Sequence, residues 1–447
     1  MSFIRKRYYV WLFKAYVGKW KKTILASALF GVLGFFILFS FSRYYLFPLF
    51  EKSVEKIGYA GVYTIESLPP NILENVSYGL TKIDTDGKII PGAAHKWEIK
   101  DDGKKYVFYL KKGLRFHNKK ELTAKNISLS YKDVEKKVLD DYTIEYTLRS
   151  PYSPFLSSAA RPLFLNNFQG LGEYKLTKME LNGGFVKSIQ LEKATDNTFR
   201  KNIFFYPTQY ALKIAFTLGE IHTVRDVINL SVNNTDLSKW KGVQIIESIN
   251  YNELVTLFYN MGDNYLSNKK IRQALQYSLP SSLAMGERAY SPIAPTSLYF
   301  SKPPNYGVND SEIAKELLST SDFNNSIEIS TTEEFIPVAH ILANSWKAVG
   351  IKTKIKIITE IPKDFQVLLY SFYLPRDPDQ YTVWHSDQVN NITRYKNLRI
   401  DKLLEDGRAI SDIEKRKHIY SDFQKYLTDD APATFLYFPK VFSVSRL

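Results

Sequence analysis

Twenty consecutive residues without a charge, Thr23 to Ser42 (TILASALFGVLGFFILFSFS), constrain this chain more than any other feature. At about 1.5 Å rise per residue, a helix of that length is roughly 30 Å long, the thickness of a bilayer's hydrocarbon core. Arg5, Lys6, Arg7, Lys14, Lys19, Lys21 and Lys22 crowd its N-terminal flank, with no acid before Ser42, and carry half of the chain's net charge of +14. Cations gather on the cytoplasmic side of membrane helices, so this pattern puts the N-terminus inside and everything after Arg43 outside. Tyr8, Tyr9 and Trp11 on one side, with Tyr44 and Tyr45 on the other, suit interfacial aromatic belts. A cleaved signal peptide would have a shorter apolar region and a small-x-small cleavage site. Here bulky residues follow, Arg43-Tyr44-Tyr45-Leu46-Phe47-Pro48, so the expectation is a retained helix. Residues 1–22 mix basic and aromatic side chains at roughly helical spacing and are expected to lie along the inner surface.

The remaining chain is too long for one compact core, since the protein has 447 residues, and two or three lobes are expected. No cysteine is present, which excludes a disulfide framework, a thiolate metal site and a lipid-modified cysteine anchor. Outside the N-terminal segment Lys and Asp/Glu are interspersed, and no nucleic-acid reading module is visible, so no nucleic-acid partner is expected. Tyr 31 and Phe 29 supply rings that line either cores or ligand clefts.

Periodicity divides the body into a strand-rich first half and a second half that alternates helices with strands. Lys104–Lys111 (KKYVFYLK) alternates after the turn Asp101-Asp102-Gly103, and Asp84-Thr85-Asp86-Gly87 turns the chain before Ile89-Ile90. An EF-hand reading of that second turn fails, because its first and twelfth positions would be Lys82 and Ala93. Asp141–Arg149 is a further strand, closed by Ser150-Pro151. Helices are expected over Lys269–Ser278, Ser311–Ser319, Pro337–Val349, Ile400–Ala409 and Asp412–Leu427, with a strand at Ile351–Ile358 after Gly350.

No catalytic constellation appears: there is no GxxxxGK[ST], HExxH or GxSxG. His95, His117, His222, His340, His385 and His418 are dispersed with no metal-ligand spacing, so no metal, no cofactor and no enzyme activity are expected. The densest unusual run is Arg376-Asp377-Pro378-Asp379-Gln380-Tyr381-Thr382-Val383-Trp384-His385-Ser386. Its charges, aromatics and hydrogen-bonding groups suit a ligand site. They equally suit a turn at Asp377-Pro378 followed by core aromatics, and composition leaves both open.

Many segments in fixed order resemble the family 5 extracytoplasmic solute-binding proteins, the peptide- and nickel-binding subunits of ABC importers. They include Leu73–Leu80 (LENVSYGL), Asp86–Gly92 (DGKIIPG), Trp97–Phe108, Leu110–His117 (LKKGLRFH), Leu122–Ile127 and Ala215–Ile221 (AFTLGEI). Tyr259-Asn260-Met261, Lys270–Leu275 (KIRQAL), Asp377–Ser386, Tyr395-Lys396-Asn397, Asp401–Leu404 and Pro432–Tyr437 continue the series. The resemblance implies an α/β, two-lobed periplasmic-binding fold of the peptide-binding type, with a strand-rich insert. Its divisions are a cytoplasmic segment 1–22, a transmembrane helix 23–42, the start of lobe I at 43–65 and the insert at 66–169. Lobe I continues over 170–250, lobe II spans 251–430, and 431–447 returns to lobe I.

The resemblance also implies a partner permease and a peptide or related small solute held between lobes, with Tyr259, Asn260, Arg376, Asp377, Tyr381, Trp384 and His385 as candidate ligand-binding residues. The chain departs from the family pattern in places. The stretch between Tyr131 and Asp141 is short, the family's GTGPY reads Gly170-Leu171-Gly172-Glu173-Tyr174, and the sequence stops at Leu447 where relatives carry further strand. Where peptide binders place an acid ahead of Asp-Pro to hold the ligand's ammonium, this chain has Leu374-Pro375-Arg376. Arg376 is free to pair with a ligand carboxylate, or internally with Asp377 or Asp379. The departures leave a second expectation beside solute capture for import: an envelope scaffold or sensor built on the same fold.

Overall fold

The computed structural model describes residues 2–41, 53–195, 199–233, 235–304, 306–323 and 326–447. Ser42 and the expected outer flank, with Arg43, Tyr44 and Tyr45, lie outside the described residues. Helix α1 (Ser2–Phe41) departs from helical geometry at Trp20 (φ −104°, ψ 15°), where the basic segment gives way to the uncharged run. Its stretch Arg7–Phe41 is long and apolar enough to cross a membrane, with none of its most apolar part buried by the protein. Ser27, one of the hydroxyls inside that stretch, donates to the Ile24 carbonyl (3.1 Å), a local pairing that satisfies its proton within the helix.

Strand β1 (Ser53–Ala60) enters a twelve-stranded sheet. Helix α2 (Pro70–Val76) follows, then the hairpin β2 (Thr81–Ile83) and β3 (Ile89–Pro91), turned by Asp84–Gly87 as the sequence predicts. Strands β4 (Ala94–Lys100), β5 (Lys105–Leu110), β6 (Val134–Asp140) and β7 (Thr143–Leu148) make a separate antiparallel sheet in the order β4-β5-β7-β6. The turn between β4 and β5 is the expected Asp101-Asp102-Gly103, all three in left-handed backbone. Inward alternation along β5 and β7 stacks Tyr106, Phe108 and Tyr146 on Phe155 of the short helix α3 (Phe155–Ser158).

The large sheet is resumed by β8 (Tyr174–Asn182), β9 (Phe185–Lys193) and β10 (Phe199–Tyr206). Helix α4 (Gln209–Thr217) leads to β11 (Thr223–Val227), the small hairpin β12 (Ser231–Val232) and β13 (Thr235–Asp236), and β14 (Val243–Ile249). Only Asn250-Tyr251-Asn252 separates β14 from β15 (Glu253–Tyr259). Then come α5 (Lys269–Tyr277), β16 (Gly286–Arg288), α6 (Ser311–Ser319), β17 (Ser326–Thr331), α7 (Ile336–Ala348), β18 (Lys352–Ile357) and β19 (Val367–Tyr373). The chain closes with α8 (Tyr381–Trp384), α9 (Leu398–Ala409), α10 (Ile413–Asp430) and β20 (Ala433–Arg446).

The five longer helices of the second half fall within two or three residues of their expected ends. Most have capping side chains: Asn268, Asp310, Asn397 and Asp412 each accept from a backbone N–H of the first turn. Strand β15 alternates with period two. Val255, Leu257 and Tyr259 meet Leu342 and Trp346 of α7 on one face, while Leu254 and Phe258 meet Ile400, Leu404, Tyr420 and Phe423 of α9 and α10 on the other. A sheet covered by helices on both faces explains why its strands read as apolar runs.

Strand β20 joins the two parts of the large sheet. Its first half pairs with β15 and β16, from Ala433 against Phe258 to Pro439 against Gly286. Its second half pairs with β14 and β11, from Lys440 against Ile249 to Arg446 against Val243. The chain therefore crosses between the halves at Asn250–Asn252 and again in the middle of β20.

Candidate functional site

Close backbone packing sets the first wall of a cavity. Gly170 and Gly172, the glycines kept in the altered GLGEY segment, lie against the end of α2. A Cβ at Gly170 would meet the Val76 carbonyl oxygen at 2.0 Å, and one at Gly172 the Asn75 carbonyl oxygen at 2.5 Å. His117 fastens this contact: its Nδ1 accepts from the Gly170 N–H (3.3 Å), and its Nε2 lies 3.0 Å from the Gly172 carbonyl. Glu74 on α2 is thereby held in place, with Asp84 of the adjoining turn accepting from the backbone N–H groups of Asp86 and Lys88 (3.0 and 2.8 Å).

The opposite wall is the run from Leu374 to Gln380, together with Tyr251, Asn252 and Pro292–Ser297. Between the walls is a cavity of about 260 Å³. Arg376 crosses it to pair with Glu74, both side chains partly solvent-exposed. The internal partners considered for Arg376 are engaged elsewhere. Asp377 accepts from both terminal nitrogens of Arg416 and from the Ser157 hydroxyl (3.1 Å), and Asp379 accepts from Nε of Arg408. Arg416 is almost fully buried; burial opposes its charge, and Asp377 beside it more than offsets that, so it stays protonated. The Ser153 N–H also donates to the Arg408 carbonyl (2.6 Å), a further tie between the segments behind the two walls.

Gln380 adds a polar anomaly. It is buried, its Nε2 donates to the Pro292 carbonyl (3.2 Å), and its Oε1 has no hydrogen-bond partner among the described residues. A buried acceptor without a donor is costly, and this one lies inside the wall of the cavity.

Of the seven residues singled out in the sequence, Arg376 lines this cavity. Asp377 builds the loop behind it through Arg416. Tyr381 stacks on His385 (centroids 4.2 Å apart) and under the Arg408 guanidinium (3.9 Å). The other four are buried. Tyr259 shares a hydrogen bond with Thr434 (2.8 Å), and Asn260 donates to the Phe365 carbonyl while accepting from the Gly262 N–H. Trp384 packs between Phe258 and Phe435, its indole nitrogen unpaired among the described residues, and His385 accepts from the Asp387 N–H. Sequence reasoning missed Glu74, Asp84 and Gln380 as site residues; all three stood inside quoted segments, but nothing local marks which face of a segment meets a cavity.

Among the described residues no group of three or more His, Asp or Glu side chains is arranged to hold a metal ion.

Residues 88–391 match the model of the bacterial extracellular solute-binding proteins, family 5. The oligopeptide-binding protein AppA of Bacillus subtilis is 25% identical over 82% of this chain and 81% of its own length. The dipeptide-binding protein of Escherichia coli is 24% identical over 80% and 82%. Among solved structures, NikZ from Campylobacter jejuni in complex with Ni(L-His) superposes with a TM-score of 0.71 at 20% identity, covering 88% of this chain and 94% of that one. The two-lobed periplasmic-binding architecture is thus shared, and because the family match spans well over half of the sequence, the chain belongs to the bacterial extracellular solute-binding proteins of family 5.

Proposed function

We propose that this protein captures peptides or related small solutes outside the cell and delivers them to an ABC importer permease, tethered by α1 with its N-terminus in the cytoplasm. One observation carries the solute reading. The cavity brings a carboxylate (Glu74) and a guanidinium (Arg376) to facing walls, with the Gln380 side-chain amide in the lining beside Arg376. A peptide presents an ammonium, a carboxylate and amide N–H groups, which are the complementary set. At about 260 Å³ the space suits a small solute. Binding that engages both walls favours the closed arrangement, since a ligand shifts an equilibrium only through unequal contacts with its two states. The proposal involves no covalent chemistry, cofactor or nucleic acid.

The tether reading rests on the uncovered apolar helix and the cations ahead of it. One observation favours the alternative of a scaffold or sensor: Glu74–Arg376, Ser157–Asp377 and Ser153–Arg408 already tie the walls together. Titrating the full chain in nanodiscs with tri-alanine and with mixed di- and tripeptides separates the two. Saturable binding weakened by Arg376→Ala supports capture. No binding of any of these peptides supports the scaffold, and saturable binding unchanged by Arg376→Ala places capture outside this cavity.

A further inference from the structure

A second polar cluster lies where the two halves of the large sheet meet. Tyr373, at the end of β19, stands directly opposite Glu253 at the start of β15. Two residues on, Val255 pairs with Tyr437 of β20, so Tyr373, Glu253 and Tyr437 share one face across three neighbouring strands. Glu334 sits in the turn between β17 and α7. Thr331 of β17 pairs with Leu369 of β19, which brings this turn beside the same end of the sheet. From the other half comes Asp226, in left-handed backbone (φ 57°) at an irregularity in the β11–β20 pairing between Val224 and Val227. An irregular strand position re-aims its side chain.

These groups sense one another. Although the Tyr373 side chain is largely exposed, the protein surrounding its hydroxyl raises its pKa, and Glu253, Tyr63, Asp226 and Glu334 add to the effect. Burial, then Glu253 and Glu334, do the same to Tyr437. Solvent reaches Asp226 and Glu334, yet the protein around them raises both carboxyl pKa values; Arg225 works against the rise at Asp226 without forming an ion pair. Among the described residues none of the three carboxylates makes an ion pair, in a chain whose net charge is +14.

Acids alone would not mark a site. The independent observation is Tyr437: its side chain is only 4% exposed, it faces Glu253 and Glu334, and its hydroxyl has no hydrogen-bond partner among the described residues. A hydroxyl at the edge of a nearly buried ring, unpaired within the protein and beside two carboxylates, is placed to accept from a ligand's N–H group. The acids are not placed to chelate a metal ion. Tyr373, 76% exposed, offers an open ring face to a cation.

We infer that this junction recognises an organic cation, the ammonium or guanidinium of a basic solute, through Asp226, Glu253 and Glu334, with the Tyr437 hydroxyl as acceptor and Tyr373 as a wall. The inference rests on the solute-capture reading and specifies its substrate class: solutes carrying a Lys- or Arg-like side chain. Because Asp226 and the other acids come from opposite sides of the crossing, the cation bridges both halves.

The test titrates the full chain in nanodiscs with tri-lysine, tri-alanine and tri-glutamate, beside Asp226→Asn/Glu334→Gln. Tri-lysine is expected to bind about tenfold or more tighter than tri-alanine, the preference shrinking with salt and vanishing in the variant while tri-alanine affinity holds. Thermal unfolding of the variant checks its fold, and Tyr373→Leu supplies a second variant, expected to weaken tri-lysine alone. Equal affinity for tri-lysine and tri-alanine, or unchanged tri-lysine binding in the variant, overturns the inference and leaves solute capture standing. No binding of any of the three overturns both.

Discussion

Two polar regions of this molecule contain the same kinds of side chain and treat them oppositely. In the Arg376–His385 loop almost every charge has a partner: Asp377 holds Arg416, Asp379 holds Arg408, and Arg376 reaches Glu74. At the sheet junction Asp226, Glu253 and Glu334 gather around tyrosines, and among the described residues no Lys or Arg side chain pairs with them. Paired charges in a buried loop shape and fix the backbone. Unpaired charges reached by solvent cost stability and are tolerated where something else supplies the partner. The contrast separates residues that build the wall of the cavity from those proposed to meet a ligand.

The comparison breaks most visibly if the loop's buried pair is dispensable. Asp377→Ala leaves the Arg416 guanidinium buried without its anion and is expected to cost about 3–5 kcal/mol, read by chemical denaturation. A loss under about 1 kcal/mol would mean that water or another group solvates Arg416, against its position in the core.

Next comes the glycine contact that seats Glu74. Gly170→Ala forces a methyl group into the Val76 carbonyl, and overpacking of this kind costs about 1–3 kcal/mol. Weaker tri-alanine binding should accompany it, because α2 carries Glu74 away from Arg376.

Arg376→Ala sharpens the distinction further. The pair with Glu74 is partly exposed, so its removal is expected to change stability by no more than about 1 kcal/mol while lowering peptide affinity by a larger factor.

Smallest, and opposite in sign, is the effect of Asp226→Asn/Glu334→Gln on stability. Both carboxyl pKa values lie above their unfolded values, so the folded state binds protons more readily there than the unfolded chain. Their contribution therefore favours folding at low pH and is lost as pH rises from the ordinary carboxylate range, about 4, through the raised folded values. The double variant should unfold at a slightly higher temperature than the native chain near neutral pH and at the same temperature in acid. A lower melting temperature near neutral pH would show that these carboxylates have internal partners.

How much of this was legible in the sequence follows from the range of the forces involved. The helices of the second half, the Asp101–Gly103 and Asp84–Gly87 turns and α1 were readable because caps, turn residues and uncharged runs act locally. The run Arg376–Ser386 stood out by composition, which does not tell a ligand contact from an internal ion pair. Arg416 lies 39 residues from Asp377, and Glu74 lies 302 from Arg376. Trp384 and Tyr259 read as cleft aromatics and lie among core side chains. The junction of Asp226, Glu253, Glu334 and Tyr437 had no sequence signal, since it exists only once β20 joins the two halves of the sheet.

The central claim is that this chain holds a small solute between its walls. Native mass spectrometry of the full chain, released gently from nanodiscs after incubation with a peptide mixture, tests it most directly. The account predicts a non-covalent small-solute adduct of one molecule per chain, reduced by Arg376→Ala and lost on unfolding. A bare chain mass under every condition, with peptide present in excess, would contradict it.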